Sequence, residues 1–158
     1  MIDRAVPSGA DLAPRSGYDP WTDLAENWPE VEIVVRPMRG TLLGELRYPV
    51  IALRAGTSSA QRRCTLTHEI VHLERGVADC GAWSGREERR VDVEVAQRLV
   101  PVRLLVATVR EGGGLDHAGA LARLADVDLD TWRLRLAILT RVERAQLARA
   151  VRNLDSAA

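Results

Sequence analysis

The chain has 158 residues, 46% of them hydrophobic and 28% charged, a composition that excludes disorder and predicts one folded domain. Lysine plus arginine and aspartate plus glutamate both total 22, so the zero net charge argues neither for nor against nucleic-acid or membrane binding. No apolar run approaches the ~20 residues of a membrane span, and no signal-peptide pattern is present. These features predict a cytoplasmic protein with free thiols at Cys64 and Cys80.

The N-terminal third predicts a lead-in, a short helix and several strands. Residues 1–20 are rich in proline and glycine and lack periodicity, which predicts a mobile lead-in. The stretch "DPWTDLAENWP" suits a helix that begins at Pro20 and ends before Pro29. "VEIVVRP" is typical of a strand, and "TLLGELRYPVIALRAG" of one broken strand or a hairpin. Because Pro49 has no N–H to donate, its strand is expected at a sheet edge or with a bulge.

Two helices follow the strands. Ser58 and Gln61 fit a capping box and Gly76 fits a helix stop, so the first helix is predicted over about residues 58–75. "REERRVDVEVAQRLV" predicts the second helix, which ends near Pro101.

The remaining third of the chain is also helical in pattern. We interpret "VRLLVATVREGGG" as a helix rather than a buried strand, and three more segments have helical periodicity: "DHAGALARLADV", "DTWRLRLAIL" and "RVERAQLARAVRNL". A helix, a small sheet and a helical remainder predict an α+β fold. We place its core at residues 21–111 and a C-terminal helical segment at residues 112–158.

The stretch "THEIVH" carries the strongest chemical signal. His68 and His72 are four residues apart, so on a helix their side chains share one face, with Cβ atoms ~5–6 Å apart. Two imidazoles at this spacing can bind one zinc ion, and Glu69 between them can act as the general base for a metal-bound water. The alternative is a coincidence of two surface histidines on a salt-bridged helix.

A catalytic zinc site needs a third protein ligand. The candidates are Glu87, Glu88, Asp92, Glu94 and His117. One helical stripe has an apolar lower half and should face inward: Glu88, Asp92, Val95 and Leu99. The neighbouring stripe is mixed and should be more solvated: Glu87, Val91, Glu94 and Arg98. The pattern therefore favours Glu88 as the ligand and Asp92 as the acceptor for a histidine N–H, with Glu87, Glu94 and His117 left as alternatives.

The stretches "RRCTLTHEIVHLERG" and "REERRVDVEVAQRLVP" resemble the ImmA/IrrE-type metallopeptidases. Members of that family have the His-Glu-x-x-His helix, then a Glu, an Asn or Asp four residues later, and a Leu-x-Pro end. Glu88, Asp92 and the stretch Leu99–Pro101 match these positions. The resemblance implies a zincin-like fold, with a small sheet whose edge strand packs on the active-site helix. It also implies Zn²⁺ and cleavage of a repressor protein in phage or mobile-element regulation.

The sequence suggests where a substrate could bind and which other functions are possible. An extended protein substrate is expected to pair with the strand around "RYPVIALR", at Tyr48, Val50, Ile51, Ala52 and Leu53. One alternative is an anti-repressor that binds without cleaving. Another is a DNA-binding regulator that uses "ALARLADVDLDTWRLRLAIL" as a helix-turn-helix. Its second helix carries Arg133 and Arg135 but no Asn or Gln for bases, so direct nucleic-acid binding is not expected.

Overall fold

The computed structural model of the protein describes residues 17–76 and 85–155. Over these residues the fold is α+β, as predicted, with seven helices and one three-stranded sheet. The elements are α1 (Pro20–Asn27), β1 (Glu32–Arg36), β2 (Gly44–Arg47), β3 (Val50–Arg54), α2 (Ser59–Glu74), α3 (Gly85–Leu99), α4 (Val102–Glu111), α5 (Ala118–Leu124), α6 (Leu129–Ala137) and α7 (Arg141–Asp155). None of the helices in this part of the chain is long and apolar enough to cross a membrane.

Helix α1 begins at Pro20, as the sequence predicts. The Asp19 carboxylate accepts hydrogen bonds from the backbone N–H groups of Trp21 and Thr22, at 3.3 and 3.2 Å. This contact satisfies two N–H groups that have no partner within the helix. Most of the predicted lead-in, residues 1–16, lies outside the described residues, as does Cys80.

The sheet has the strand order β1-β3-β2. Strand β1 pairs in parallel with β3, from Glu32 opposite Val50 onward, and β2 pairs with β3 as an antiparallel hairpin. The strand that contains Pro49 was expected at a sheet edge or with a bulge, and the stretch forms a hairpin whose first strand, β2, lies at the edge while its second, β3, is the central strand. Pro49 itself lies in the turn between β2 and β3, where its missing N–H removes no hydrogen bond from the ladder.

Helix α2 has the predicted capping box. The Ser58 hydroxyl accepts from the Gln61 N–H, and the Gln61 side chain accepts from the Ser58 N–H, both at 3.1 Å. The helix ends before Gly76, whose φ of 73° is a left-handed conformation that glycine adopts without strain. One face of α2 packs on the sheet through a cluster of buried residues: Leu46, Ile51, Leu53, Leu66, Ile70 and Leu73.

The other face of α2 packs against the C-terminal helices. Cys64 and Val71 from α2 belong to one buried cluster with Leu99 from α3 and Trp132 from α6. This cluster continues across the predicted division between residues 111 and 112, so the C-terminal helices share the core of the helix that carries the motif.

Candidate metal centre

His68 and His72 lie on the same face of α2, as their spacing predicts. Their Nε2 atoms are 3.1 Å apart, and the two rings meet edge to face. The His72 side chain is fully buried and 24% of the His68 side chain is exposed. The pair therefore presents two ring nitrogens at one point that remains accessible from the His68 side.

Helix α3 brings Glu88 to this point. The Glu88 carboxylate oxygens lie 3.2 Å from His68 Nε2 and 3.5 Å from His72 Nε2. In a tetrahedral zinc site with bonds of 2.0–2.1 Å, neighbouring ligand atoms are about 3.3–3.4 Å apart. The three separations in the structure match this spacing within about 0.3 Å. Two imidazoles and one carboxylate are also a donor set that zinc accepts, so these residues fit the ion.

The other candidate ligands lie elsewhere. Glu94 forms ion pairs with Arg75 at 2.6 Å and with Arg98 at 2.8 Å. His117 is an exposed residue at the start of α5, and among the described residues only His68, His72 and Glu88 cluster as possible ligands, which leaves Glu87 outside. The stripe that contains Glu87 is less solvated than predicted, because Val91 within it is fully buried.

Asp92 lies next to His68, one turn beyond Glu88. Its carboxylate is 3.2 Å from His68 Nδ1, on the side of the ring away from Glu88. A hydrogen bond there places the ring proton on Nδ1 and leaves the Nε2 lone pair free for a metal.

The two histidines have pKa values shifted in opposite directions. Burial disfavours the charged form of His68. The hydrogen bond with Asp92 and the nearby carboxylates of Glu69 and Glu88 outweigh that effect, so the pKa of His68 is raised. Burial and the adjacent His68 lower the pKa of His72, which favours the neutral form that binds metal.

Glu69 is buried against the start of β2. A Cβ added to Gly44 would lie 2.7 Å from Glu69 Oε1 and 2.3 Å from the methyl group of Thr65, closer than carbon contacts allow. Only glycine therefore fits between β2 and α2 at this position. Gly44 lies within the stretch predicted as a broken strand or a hairpin, and a glycine inside a strand pattern can mark either an interruption or a close backbone approach.

A cleft of about 760 Å³ opens beside His68 and Glu69. Its other lining residues come from the segment before β2, from α2 and α3, and from the region around the start of α6: Arg39, Thr41, Leu42, Leu43, Gly44, Cys64, Thr65, Arg89, Asp92, Val95, Asp128, Asp130, Thr131 and Leu134. The position of α6 beside the site has no local signal in the sequence, because α6 and the motif are about sixty positions apart. The cleft therefore lies directly beside the candidate metal ligands.

The residues predicted to bind a substrate strand do not line this cleft. The four that follow Pro49 belong to β3, which pairs on both sides and has no free edge: Val50, Ile51, Ala52 and Leu53. The fifth, Tyr48, is exposed in the turn, and its hydroxyl donates to Glu30 at 2.8 Å. The strand that approaches Glu69 is instead β2, at the edge of the sheet.

Helix α6 directs one of its two candidate DNA-contacting arginines into the core. Arg135, one of its two candidate arginines, is fully buried: its Nε donates to the Val100 carbonyl at 2.7 Å and its guanidinium pairs with Glu143. Trp132 is also fully buried, and of the two arginines only Arg133 has an exposed side chain. Helix α6 therefore contributes to the core and to the wall of the cleft.

No protein-family model matches the sequence, no curated protein matches it, and no solved structure matches the fold. The similarity to ImmA/IrrE-type peptidases therefore stays a resemblance carried by motifs. Any functional conclusion depends on the geometry of His68, Glu69, His72, Glu88 and Asp92.

Proposed function

We propose that the protein is a zincin-like, zinc-dependent endopeptidase. The observation that carries the proposal is the convergence of His68, His72 and Glu88 within 4.8 Å of one another, with Glu69 lining the adjacent cleft. Surface histidines paired by chance would not bring a carboxylate from a second helix to the same point and another, Asp92, to the outer ring nitrogen.

A zinc ion held by these residues supplies a Lewis acid for amide hydrolysis. Glu69 follows His68 directly, is 4% exposed, and lines the cleft without belonging to the ligand cluster. Its carboxylate accepts the proton of the attacking water and then donates it to the leaving amine. Asp92 holds the His68 ring in place throughout, because its carboxylate faces Nδ1.

The substrate class follows from strand β2. One edge of β2 pairs with β3, while Gly44 at its start lies against Glu69. An extended segment of a protein can bind along the segment before β2, so that its backbone passes the candidate metal ligands. The motif resemblance supports a regulatory protein such as a repressor as the natural substrate.

Glu69→Gln separates cleavage from binding. The variant keeps the size of the side chain but removes the base, so we expect normal folding, near-normal zinc content and a rate reduced about 10²–10⁴-fold. Wild-type and variant proteins, each loaded with zinc, are incubated with native cellular proteins, and new N-termini are identified by mass spectrometry. Equal sets of new N-termini from both proteins, or none from the wild type, would refute the peptidase proposal.

A further inference from the structure

Arg54, at the end of β3, binds the backbone of the segment that precedes β2. Its Nε donates to the Leu42 carbonyl at 2.7 Å, and its Nη2 donates to the carbonyls of Met38, at 3.0 Å, and Gly40. The backbone N–H of Arg54 also donates to the Leu43 carbonyl at 2.8 Å. We call residues 38–43 the rim segment.

In these contacts the guanidinium of Arg54 donates hydrogen bonds to backbone carbonyls. Among residues 17–76 and 85–155, no carboxylate lies within ion-pair distance of Arg54. Arginine presents several N–H donors in a rigid plane, so one side chain can orient several carbonyls together. Gly40 has a φ of 58°, a left-handed conformation that tightens the turn within the rim segment. Arg54 thus satisfies carbonyls for which the rim segment has no strand partner.

The position of Arg54 on the sheet determines the direction of these carbonyls. Side chains alternate along a strand, and the preceding residue, Leu53, packs against α2 through the core. Arg54 therefore leaves β3 on the face away from α2. The three carbonyls that it binds are drawn to that face.

The peptide plane places the following N–H groups on the opposite side of the chain. In a trans peptide the N–H of the next residue points away from the carbonyl, so the N–H groups of Arg39, Thr41 and Leu43 point away from the three carbonyls that the Arg54 guanidinium binds. All three residues line the cleft. None of the three N–H groups donates a hydrogen bond to another residue in the described part of the chain.

We propose that Arg54 is a positioning residue, which turns the N–H groups of Thr41 and Leu43 toward the carbonyls of a peptide in the cleft. Arg54 is not among the residues that line the cleft, so it acts through the rim segment. The inference rests on the proposed peptidase function and identifies what binds the substrate backbone. Two hydrogen bonds, each contributing about 1 kcal/mol, would increase peptide affinity by roughly tenfold or more.

The test compares two hydroxamates on the zinc-loaded protein, measured by calorimetry. A tripeptide hydroxamate carries backbone carbonyls that can reach the rim segment, whereas acetohydroxamate carries only the zinc-binding group. We expect Arg54→Met to weaken the tripeptide compound about tenfold and to leave acetohydroxamate unchanged. Arg54→Lys replaces the planar guanidinium with a compact ammonium, so its affinity for the tripeptide compound should lie between those of wild type and Arg54→Met.

Arg47→Met is the matched control. Arg47 lies in the same sheet with its side chain 71% exposed and pairs with Glu45, so its removal should change neither affinity. Equal affinities of wild type and Arg54→Met for the tripeptide compound, or equal losses for both compounds, would overturn the role of Arg54. If neither hydroxamate binds wild-type protein that contains zinc, the peptidase proposal fails and this inference fails with it.

Discussion

Asp92 contributes to the candidate metal centre through one contact, between its carboxylate and His68 Nδ1 at 3.2 Å. A hydrogen bond at this nitrogen fixes the ring orientation and increases the basicity of Nε2, which would bind the metal. His68 is only partly buried, so without Asp92 its ring could rotate toward solvent. The contribution of Asp92 is therefore to metal affinity more than to fold stability.

We predict that Asp92→Ala lowers zinc affinity about 10–100-fold, measured by competition with a chromophoric chelator. The folded structure should persist, since the Asp92 side chain is half exposed. Asp130→Ala is the matched control, because that carboxylate also lines the cleft and is 97% exposed. Unchanged affinity in Asp92→Ala, or an equal loss in the control, would contradict the role given to this contact.

At the scale of elements, the pair formed by Arg135 and Glu143 joins α6 to α7. The Arg135 side chain is 2% exposed and the Glu143 side chain 18% exposed. Hydrogen bonding to Arg135, with further bonds from Thr140, lowers the pKa of Glu143 from 4.5 to about 2. Because this pKa is depressed in the folded state, the pair stabilises the protein above pH 4.5 and loses that contribution as the pH falls toward 2.

Glu143→Gln should destabilise the protein by about 3 kcal/mol at neutral pH, because it leaves the buried charge of Arg135 without a carboxylate. The amide oxygen can still accept from the Thr140 N–H, so the start of α7 is preserved. Urea unfolding at pH 7 and at pH 3 measures the effect, and the difference from wild type should shrink at the lower pH.

The exposed pair of Arg133 and Asp130, 3.9 Å apart, provides the control for this prediction. Asp130→Asn should change stability by less than about 1 kcal/mol, because solvent screens exposed ion pairs. A Glu143→Gln difference that stays constant between pH 7 and pH 3 would show that the charge of Glu143 contributes nothing.

At the scale of the whole molecule, the candidate metal centre joins two helices that already share one buried cluster. His68 and His72 belong to α2, which also packs on the sheet, and Glu88 belongs to α3, which also packs against α6. A bound ion would add a second link between these two helices, beside their packed side chains. Binding to the folded state alone stabilises that state by mass action.

We predict that zinc at 100 times its Kd raises Tm by roughly 5–10 °C relative to protein in chelator. At this concentration, zinc binding to the folded state increases the free energy of unfolding by about 2.7 kcal/mol. Differential scanning fluorimetry measures the shift. Glu88→Ala should reduce it strongly and His68→Ala should abolish it, whereas Glu87→Ala, one residue away, should keep it. A shift that depends on Glu87 and not on Glu88 would reverse the assignment of the third ligand.

The sequence by itself determined the features that depend on neighbours a few residues apart. The capping box of Ser58 and Gln61 and the common face of His68 and His72 both follow from helical geometry. The pattern of α3 favoured Glu88, but Val91 in the stripe expected to be solvated is fully buried and Asp92 in the stripe expected to face inward is half exposed. Periodicity was sufficient for the capping box and for the histidine pair, because each of those signals lies within one or two turns of a single helix.

Only the tertiary structure decided how the elements surround the site. Strand β3 is the central strand because β1 pairs with it although β2 lies between them in the sequence, and the missing N–H of Pro49 gives no information about that partner. The approach of Gly44 to Glu69 and the hydrogen bonds from Arg54 to the rim segment likewise join residues that are distant in sequence. Such contacts depend on which surfaces are buried together when the chain folds, and no local period encodes them.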